Sequence, residues 1–225
     1  MNPLIFGNMK FKQSFKLNIS NKPLGYFTLG TLITVATSFY SLVVVPQAQA
    51  RQLVAILSEQ EKAERAQLIQ TANSQMGEGK FAAAETSLRE LLKKFPRDAF
   101  GYYQLGNVLA RQNRSEDAIA QYQQALKYNP RYAVAYNAIG LTYGSLSQWD
   151  EAASQFRKAL EINPNYGDAM YNLGQVLWQG NYREDAIASF EKALKIFKAE
   201  KRDEKVRRIE KTIEQLKKGD DPGIS

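Results

Sequence analysis

Large and small apolar residues in this chain recur on a period far longer than one helical turn. Pro96, Pro130 and Pro164 stand 34 residues apart, as do Gly106, Gly140 and Gly174. Ala118, Ala152 and Ala186 keep the same phase, and so do Tyr122, Phe156 and Phe190, and Ala125, Ala159 and Ala193. Five tracks in one phase define an internal repeat. Within one period the apolar spacing predicts two helices. From Ala133 to Leu146, Tyr136, Ile139 and Tyr143 fall on one helical face. A polar break at Ser147-Gln148 follows. The second helix opens with Asp150 and Glu151, acids that complement the positive end of the helix dipole, and carries Ala152, Phe156, Ala159 and Leu160. Asn163-Pro164 ends it, because proline cannot continue a helix and biases the residue before it to extended geometry. Gly140, Ala152 and Ala159 leave room for close helix approach, and Tyr136, Tyr143 and Phe156 fill the wider gaps. One such hairpin cannot bury its own apolar face, so its neighbours must stack on it as a solenoid.

The period divides the chain into frames 65–98, 99–132, 133–166 and 167–200. The first is degenerate: it keeps Gly79, Phe81, Ala84 and Pro96 but has Thr71, Ala72 and Gln75 at positions that are apolar, glycine or tyrosine in later copies. Terminal repeats are commonly atypical, so this copy reads as an N-terminal cap. Upstream, residues 51–64 form a helical lead-in with Leu53, Ile56 and Leu57 on one face, continuing into the first repeat helix. At the other end Lys198 stands where a fourth proline belongs. Residues 201–218 carry Val206, Ile209, Ile213 and Leu216 in an amphipathic pattern, which predicts a capping helix with a charged outer face. Gly219 ends it, and residues 219–225 read as a tail.

These residues resemble the tetratricopeptide repeat, whose signature is aromatic-x-x-Leu-Gly-x-x-Tyr, then Ala-x-x-x-Phe-x-x-Ala and a closing proline. The third copy is the fullest match, with Tyr136, Ile139, Gly140, Tyr143, Ala152, Phe156, Ala159 and Pro164. The second offers Tyr102, Leu105, Gly106, Leu109, Ala118, Tyr122, Ala125 and Pro130, and the fourth Met170, Leu173, Gly174, Leu177, Ala186, Phe190 and Ala193. The resemblance covers residues 65–198 and implies an all-α fold: a right-handed superhelical solenoid of helix-turn-helix repeats closed by the capping helix.

Composition narrows the chemistry. Among 225 residues there is no cysteine and no histidine, which removes disulfides, thiolate nucleophiles, Cys- or His-ligated metals and histidine acid–base catalysis. Glu116-Asp117, Asp150-Glu151 and Glu184-Asp185 look like acid pairs, yet each recurs at the start of a second helix and so serves the dipole. No phosphate loop, dinucleotide fingerprint or nucleophile elbow is present. A non-catalytic chain without cofactor or metal is expected.

The net charge of +7 sits at the ends. Residues 1–50 hold four Lys and no acid, 51–191 hold 15 bases and 16 acids, and 192–218 hold 11 bases and 5 acids. Lys10, Lys12, Lys16 and Lys22 precede an uncharged run, residues 27–45, followed by Pro46 and Ala48-Gln49-Ala50. Basic leader, apolar run and small-x-small end occur in the order of a translocation signal. Residues 1–50 are thus a signal peptide cleaved after Ala50, or a signal-anchor holding the chain in the membrane through residues 27–45. In either case the repeats are expected beyond the cytoplasmic or thylakoid membrane. Nucleic acid is not an expected partner there. The basic C-terminal helix raises a second option, a peripheral adaptor touching anionic lipid headgroups.

Stacked hairpins curve, and first helices line the inner wall. Inner-wall residues not needed for packing are Gln70, Asn73, Tyr103, Gln104, Asn107, Arg111, Asn137, Leu141, Tyr171, Asn172, Gln175, Trp178 and Gln179. Amides can pair with the peptide groups of a bound segment whatever its sequence, and aromatics supply rigid contact area. The expected partner is therefore a protein or peptide segment held in this groove. Some members of the family grip a C-terminal carboxylate with Lys, Asn and Arg; here one position in five matches that clamp, which argues against it. An exported chain of three or four such repeats is also similar to tetratricopeptide proteins of cyanobacteria and plastids, some of which help to assemble or maintain photosynthetic membrane complexes.

Overall fold

The computed structural model describes residues 47–218. The leader, the run 27–45 and the tail 219–225 lie outside the described residues. Among the described residues the chain is all helix: α1 (Gln47–Gly77), α2 (Phe81–Lys94), α3 (Ala99–Arg111), α4 (Ser115–Tyr128), α5 (Ala133–Ser145), α6 (Trp149–Ile162), α7 (Gly167–Gln179), α8 (Arg183–Ala199) and α9 (Asp203–Lys218). They pack as the hairpins α1/α2, α3/α4, α5/α6 and α7/α8, and α9 closes on α8. No helix among them is long and apolar enough to cross a membrane.

The turn inside each hairpin has one physical solution, used four times. Gly79, Asn113, Ser147 and Asn181, again 34 apart, have φ of 73°, 60°, 59° and 65°. Each is the left-handed residue that closes a helix C-terminus. In the second copy Arg114 N–H reaches back to the carbonyl of Leu109 (2.9 Å) and Asn113 N–H to that of Ala110 (3.0 Å), so the last carbonyls of α3 are satisfied. The same pair of bonds recurs as Gln148 to Tyr143 with Ser147 to Gly144, and as Tyr182 to Leu177 with Asn181 to Trp178. Glycine and asparagine tolerate this conformation, which is why the break is polar at these positions.

Two of the sequence tracks turn out to be one contact. A Cβ added to Gly140 would lie 2.7 Å from the ring of Phe156, and one on Gly174 would lie 2.8 Å from Phe190; at Gly106 the Tyr122 ring is closer still. The glycine of α3, α5 and α7 is therefore the seat of the aromatic ring on the second helix of its hairpin. Phe156 and Phe190 are buried, and removing such a ring costs about 3–5 kcal/mol. Leu88, Leu91, Leu105, Leu109 and Tyr122 form the core of the first two hairpins, while Phe156, Phe190, Phe197, Ile209 and Leu216 form that of the last two with α9.

The cap follows from Lys198. Where Pro130 and Pro164 stop α4 and α6, Lys198 lets α8 run on to Ala199. The next helix is consequently displaced in register. Ile209 and Ile213 of α9 are buried as Leu173 and Leu177 of α7 are, but 36 residues on rather than 34. Phe197, buried at the end of α8, faces Gly167 and is covered by Arg202 (4.6 Å) and Lys205 (5.0 Å) over its ring. Arg183 at the start of α8 donates to the carbonyl of Leu216, tying down the far end of α9. At the other end α1 is one unbroken helix from Gln47, so residues 51–64 and the first repeat helix are a single element.

Candidate functional site

First helices of successive hairpins touch each other, α3 with α5 and α5 with α7, which puts them on the inner wall. The side chains proposed to face a ligand divide there into three groups. Near the N-terminal end, Gln70 and Asn73 line an open cleft of about 610 Å³ with Arg65, Ala66, Ile69 and Phe100. Arg65 is held in place by a bidentate ion pair with Asp98 (2.5 and 3.0 Å), whose carboxylate also accepts from Gly101 N–H as the N-cap of α3. The hydrogen bond from Arg65 to Asp98, reinforced by the carboxylate charge, raises the guanidinium pKa against the opposing pull of burial.

The amides of the second group bond to one another. Tyr122 hydroxyl donates to Asn107 Oδ1 (2.9 Å), Asn107 Nδ2 donates to Gln104 Oε1 (3.0 Å), and Gln104 Nε2 donates to Asn73 Oδ1 (2.7 Å). Burial, then the neighbouring Tyr103, pushes the Tyr122 phenol far above its ordinary value, so it remains a donor. Asn107 is therefore committed to the interior of its own repeat, and the ladder beyond it crosses from α3 to α1. Tyr103 belongs to an aromatic cluster, with ring centroids 5.3 Å from Tyr132, 5.9 Å from Tyr122 and 6.4 Å from Phe100. Tyr132, half-buried, has its phenol pushed up to about 12 by burial, by Tyr103 and by Asp98.

The third group makes a more enclosed site. Asn137, Leu141, Tyr171 and Asn172 line a cavity of about 370 Å³ together with Tyr166, Asp168, Phe197, Lys205, Arg208 and Ile209. Asn172 Nδ2 donates to the buried Asn137 Oδ1 (3.1 Å), joining α7 to α5. Leu141 is half exposed, and Val134, two turns earlier on the same face, is exposed as well. Asp168 is paired with Lys205 and with Arg202 (3.3 Å). Burial pushes its carboxyl up, but the hydrogen bond and charge of Lys205 and the charge of Arg202 outweigh that and hold it below its ordinary range. The wall thus has an apolar centre on α5 and a margin on α9 where Lys205 is paired with Asp168 and Arg208 is exposed.

Besides Tyr103, Gln104 and Asn107, four of the proposed residues line neither cavity. Trp178 is half-buried and packs against the core of the last two hairpins, so its ring works between repeats. Arg111 and Gln179 are exposed at the C-terminal ends of α3 and α7, and Gln175 donates to the hydroxyl of Tyr171 (3.2 Å). Sequence reasoning missed Tyr166, Asp168, Phe197, Lys205, Arg208 and Ile209. Tyr132 and Tyr166 were within reach, since they share the 34-residue period two positions after a proline. Lys205 was also within reach, 34 residues after Tyr171, but Arg208 was not, because 34 residues before it stands the core Gly174. Among the described residues no cluster of carboxylates could hold a metal ion.

Three sequence profiles of the tetratricopeptide repeat match, over residues 68–98, 106–147 and 137–201. No curated protein matches the chain. Among solved structures, MamA superposes with a TM-score of 0.58 at 22% identity, covering 71% of this chain and 99% of MamA. PilF of Pseudomonas aeruginosa gives 0.56 at 21%, covering 69% and 78%. YrrB, described as a TPR protein with an unusual peptide-binding site, gives 0.52 at 23%, covering 64% and 81%. At these identities the likeness is one of fold. Repeat pattern, ring-on-glycine packing, hairpin turns and profile matches agree: this chain is a tetratricopeptide-repeat protein.

Proposed function

We propose that the chain is a non-catalytic interaction scaffold that seats a protein segment on the inner wall, centred on the cavity between α5, α7 and α9. The observation that carries this is the exposure of Val134 and Leu141 on a wall whose other apolar positions are packed. Exposed apolar side chains rimmed by polar groups mark interaction surfaces. The cavity has the size of one or two side chains, with Tyr166 and Tyr171 as rigid walls and Lys205 and Arg208 at the margin. The peptide-binding site described for YrrB supports the same use of the fold. The place of action follows from residues 1–50: a basic leader, an uncharged run and Ala48-Gln49-Ala50 favour a scaffold beyond the membrane, where it helps a membrane protein complex to assemble.

Selection of a displayed random-peptide library on the immobilised protein tests the groove. Peptides should enrich on the wild-type chain and lose at least tenfold in affinity on Leu141→Glu, an exposed position whose change leaves the core intact. Enrichment that is indifferent to Leu141→Glu would sink the reading. A phosphatase or β-lactamase fusion after residue 64, active only beyond the membrane, tests the location.

A further inference from the structure

The large apolar side chains exposed among the described residues are Val54, Ile56 and Leu57 on α1, Val134 and Leu141 on α5, and Leu146 and Tyr182 apart from both groups. The first group lies on the part of α1 that extends beyond the hairpins. The first tie from α1 to the second hairpin is at Arg65 and to α2 at Glu64, so Leu57 stands about 10 Å further out at 1.5 Å per residue. Its sequence, Gln52-Leu-Val-Ala-Ile-Leu-Ser-Glu-Gln-Glu61, carries two acids and no base. On a helix Val54, Leu57 and Glu61 share one face, with Glu61 one turn beyond Leu57.

The inner wall is the complement of that face. Its centre is apolar at Leu141, and one side of the same cavity is Arg208 beside the Asp168–Lys205 ion pair. Arg208 is itself largely exposed, and its bond to Glu204 is long at 3.4 Å, so it is available to a second carboxylate. We propose, resting on the groove reading above, that the segment Gln52–Glu61 of a second copy of this chain occupies the groove. Leu57 lies over Leu141, and Glu61 meets Arg208. The docking is between copies, because α1 is one continuous helix directed away from its own body at the opposite end from α9. Donor face and acceptor groove are different surfaces, so the contact is heterologous and links chains head to tail. A partner segment that enters the groove then competes with self-association, and the scaffold is released as it is loaded.

The test uses the full chain in a mild non-ionic detergent and a fluorescein-labelled peptide of residues 51–64, followed by fluorescence anisotropy. Saturable binding is expected, at least tenfold weaker with Leu141→Glu and with Arg208→Glu. A Glu61→Lys peptide should bind Arg208→Glu better than the unaltered peptide does. Sedimentation velocity should show concentration-dependent assembly of the full chain that Leu57→Glu abolishes, with helicity unchanged by circular dichroism. A peptide that does not bind, that binds Leu141→Glu equally, or that partitions onto anionic vesicles and not onto the protein overturns the proposal. If library peptides still depend on Leu141 in that case, the groove reading stands without self-docking; if neither ligand depends on it, both fall.

Discussion

Two glycines four residues apart on α5 should respond to the same substitution with opposite sign. Gly140 is covered by the Phe156 ring, three of whose carbons would lie 2.7–2.9 Å from an added Cβ. Gly144 has open space, with Val176 Cγ1 at 3.6 Å as its nearest neighbour. Carbon atoms rest at about 3.5–4.0 Å, so Gly140→Ala must displace by nearly an ångström a ring that has no solvent exposure. Overpacking of that kind costs about 1–3 kcal/mol, against a gain of about 1 kcal/mol in helix propensity. The net is a loss centred near 1 kcal/mol. Gly144→Ala keeps the propensity gain alone, so the two variants should differ by about 2 kcal/mol. For a protein of this length that is roughly 4–8 °C in Tm. Thermal and urea unfolding followed at 222 nm would measure it. In a Phe156→Leu background the gap should narrow, since the atoms that clash have been removed. If Gly140→Ala proves as stable as Gly144→Ala, the 34-residue glycine track has some cause other than the ring, and the packing account is wrong.

Further outcomes follow from named contacts. Tyr122→Phe removes the donor to Asn107 and should cost about 0.5–1.5 kcal/mol, whereas Tyr122→Phe with Asn107→Leu recreates the Phe156 and Leu141 pair of the next repeat and should recover most of it in urea titrations. Ser147→Gly relieves a side chain held at φ 59° and should stabilise by up to about 1 kcal/mol in the same titrations. Lys198→Pro restores the proline of the other repeats but falls inside α8, where it should cost about 3 kcal/mol and expose the α8–α9 junction to trypsin. The Asp168 carboxyl is depressed in the folded chain, so its pairing with Lys205 and Arg202 stabilises fully above its unfolded pKa of about 3.9 and is lost as pH falls through the lower folded value. The protection of α9 amides against hydrogen exchange should fall in that acid window in the wild type, while Asp168→Asn should be less protected already at neutral pH and show no such step.

The hairpins were legible because their causes are local and repeated. A proline after α2, α4 and α6, a ring and its glycine, and acids in the first turn of α4, α6 and α8 each recur in phase, and each corresponds to one physical contact or helix end. The fate of α9 was legible only in part. Its apolar stripe announced a cap, but Lys198 removed the stop that keeps the period, and α8 grew by most of a turn. The helix that followed therefore brought Arg208 to the groove from a position that the 34-residue frame assigns to the core glycine.

The amides show why residue type alone does not mark a ligand contact. Asn107, Leu141 and Gln175 occupy the same place in three successive first helices. What differs is the ring behind them: Tyr122 has a buried hydroxyl that needs an acceptor, and Asn107 supplies it, whereas Phe156 and Phe190 need none. With no polar demand from the second helix, position 141 can be leucine and can turn its side chain to the groove. The apolar centre of the inner wall is thus set from the far side of the hairpin, by the absence of one oxygen atom on the second helix. Restoring that oxygen by Phe156→Tyr would place a buried hydroxyl behind Leu141 with no acceptor at that position. The groove would then lose its binding face through strain from within, without any change to the residues that line it.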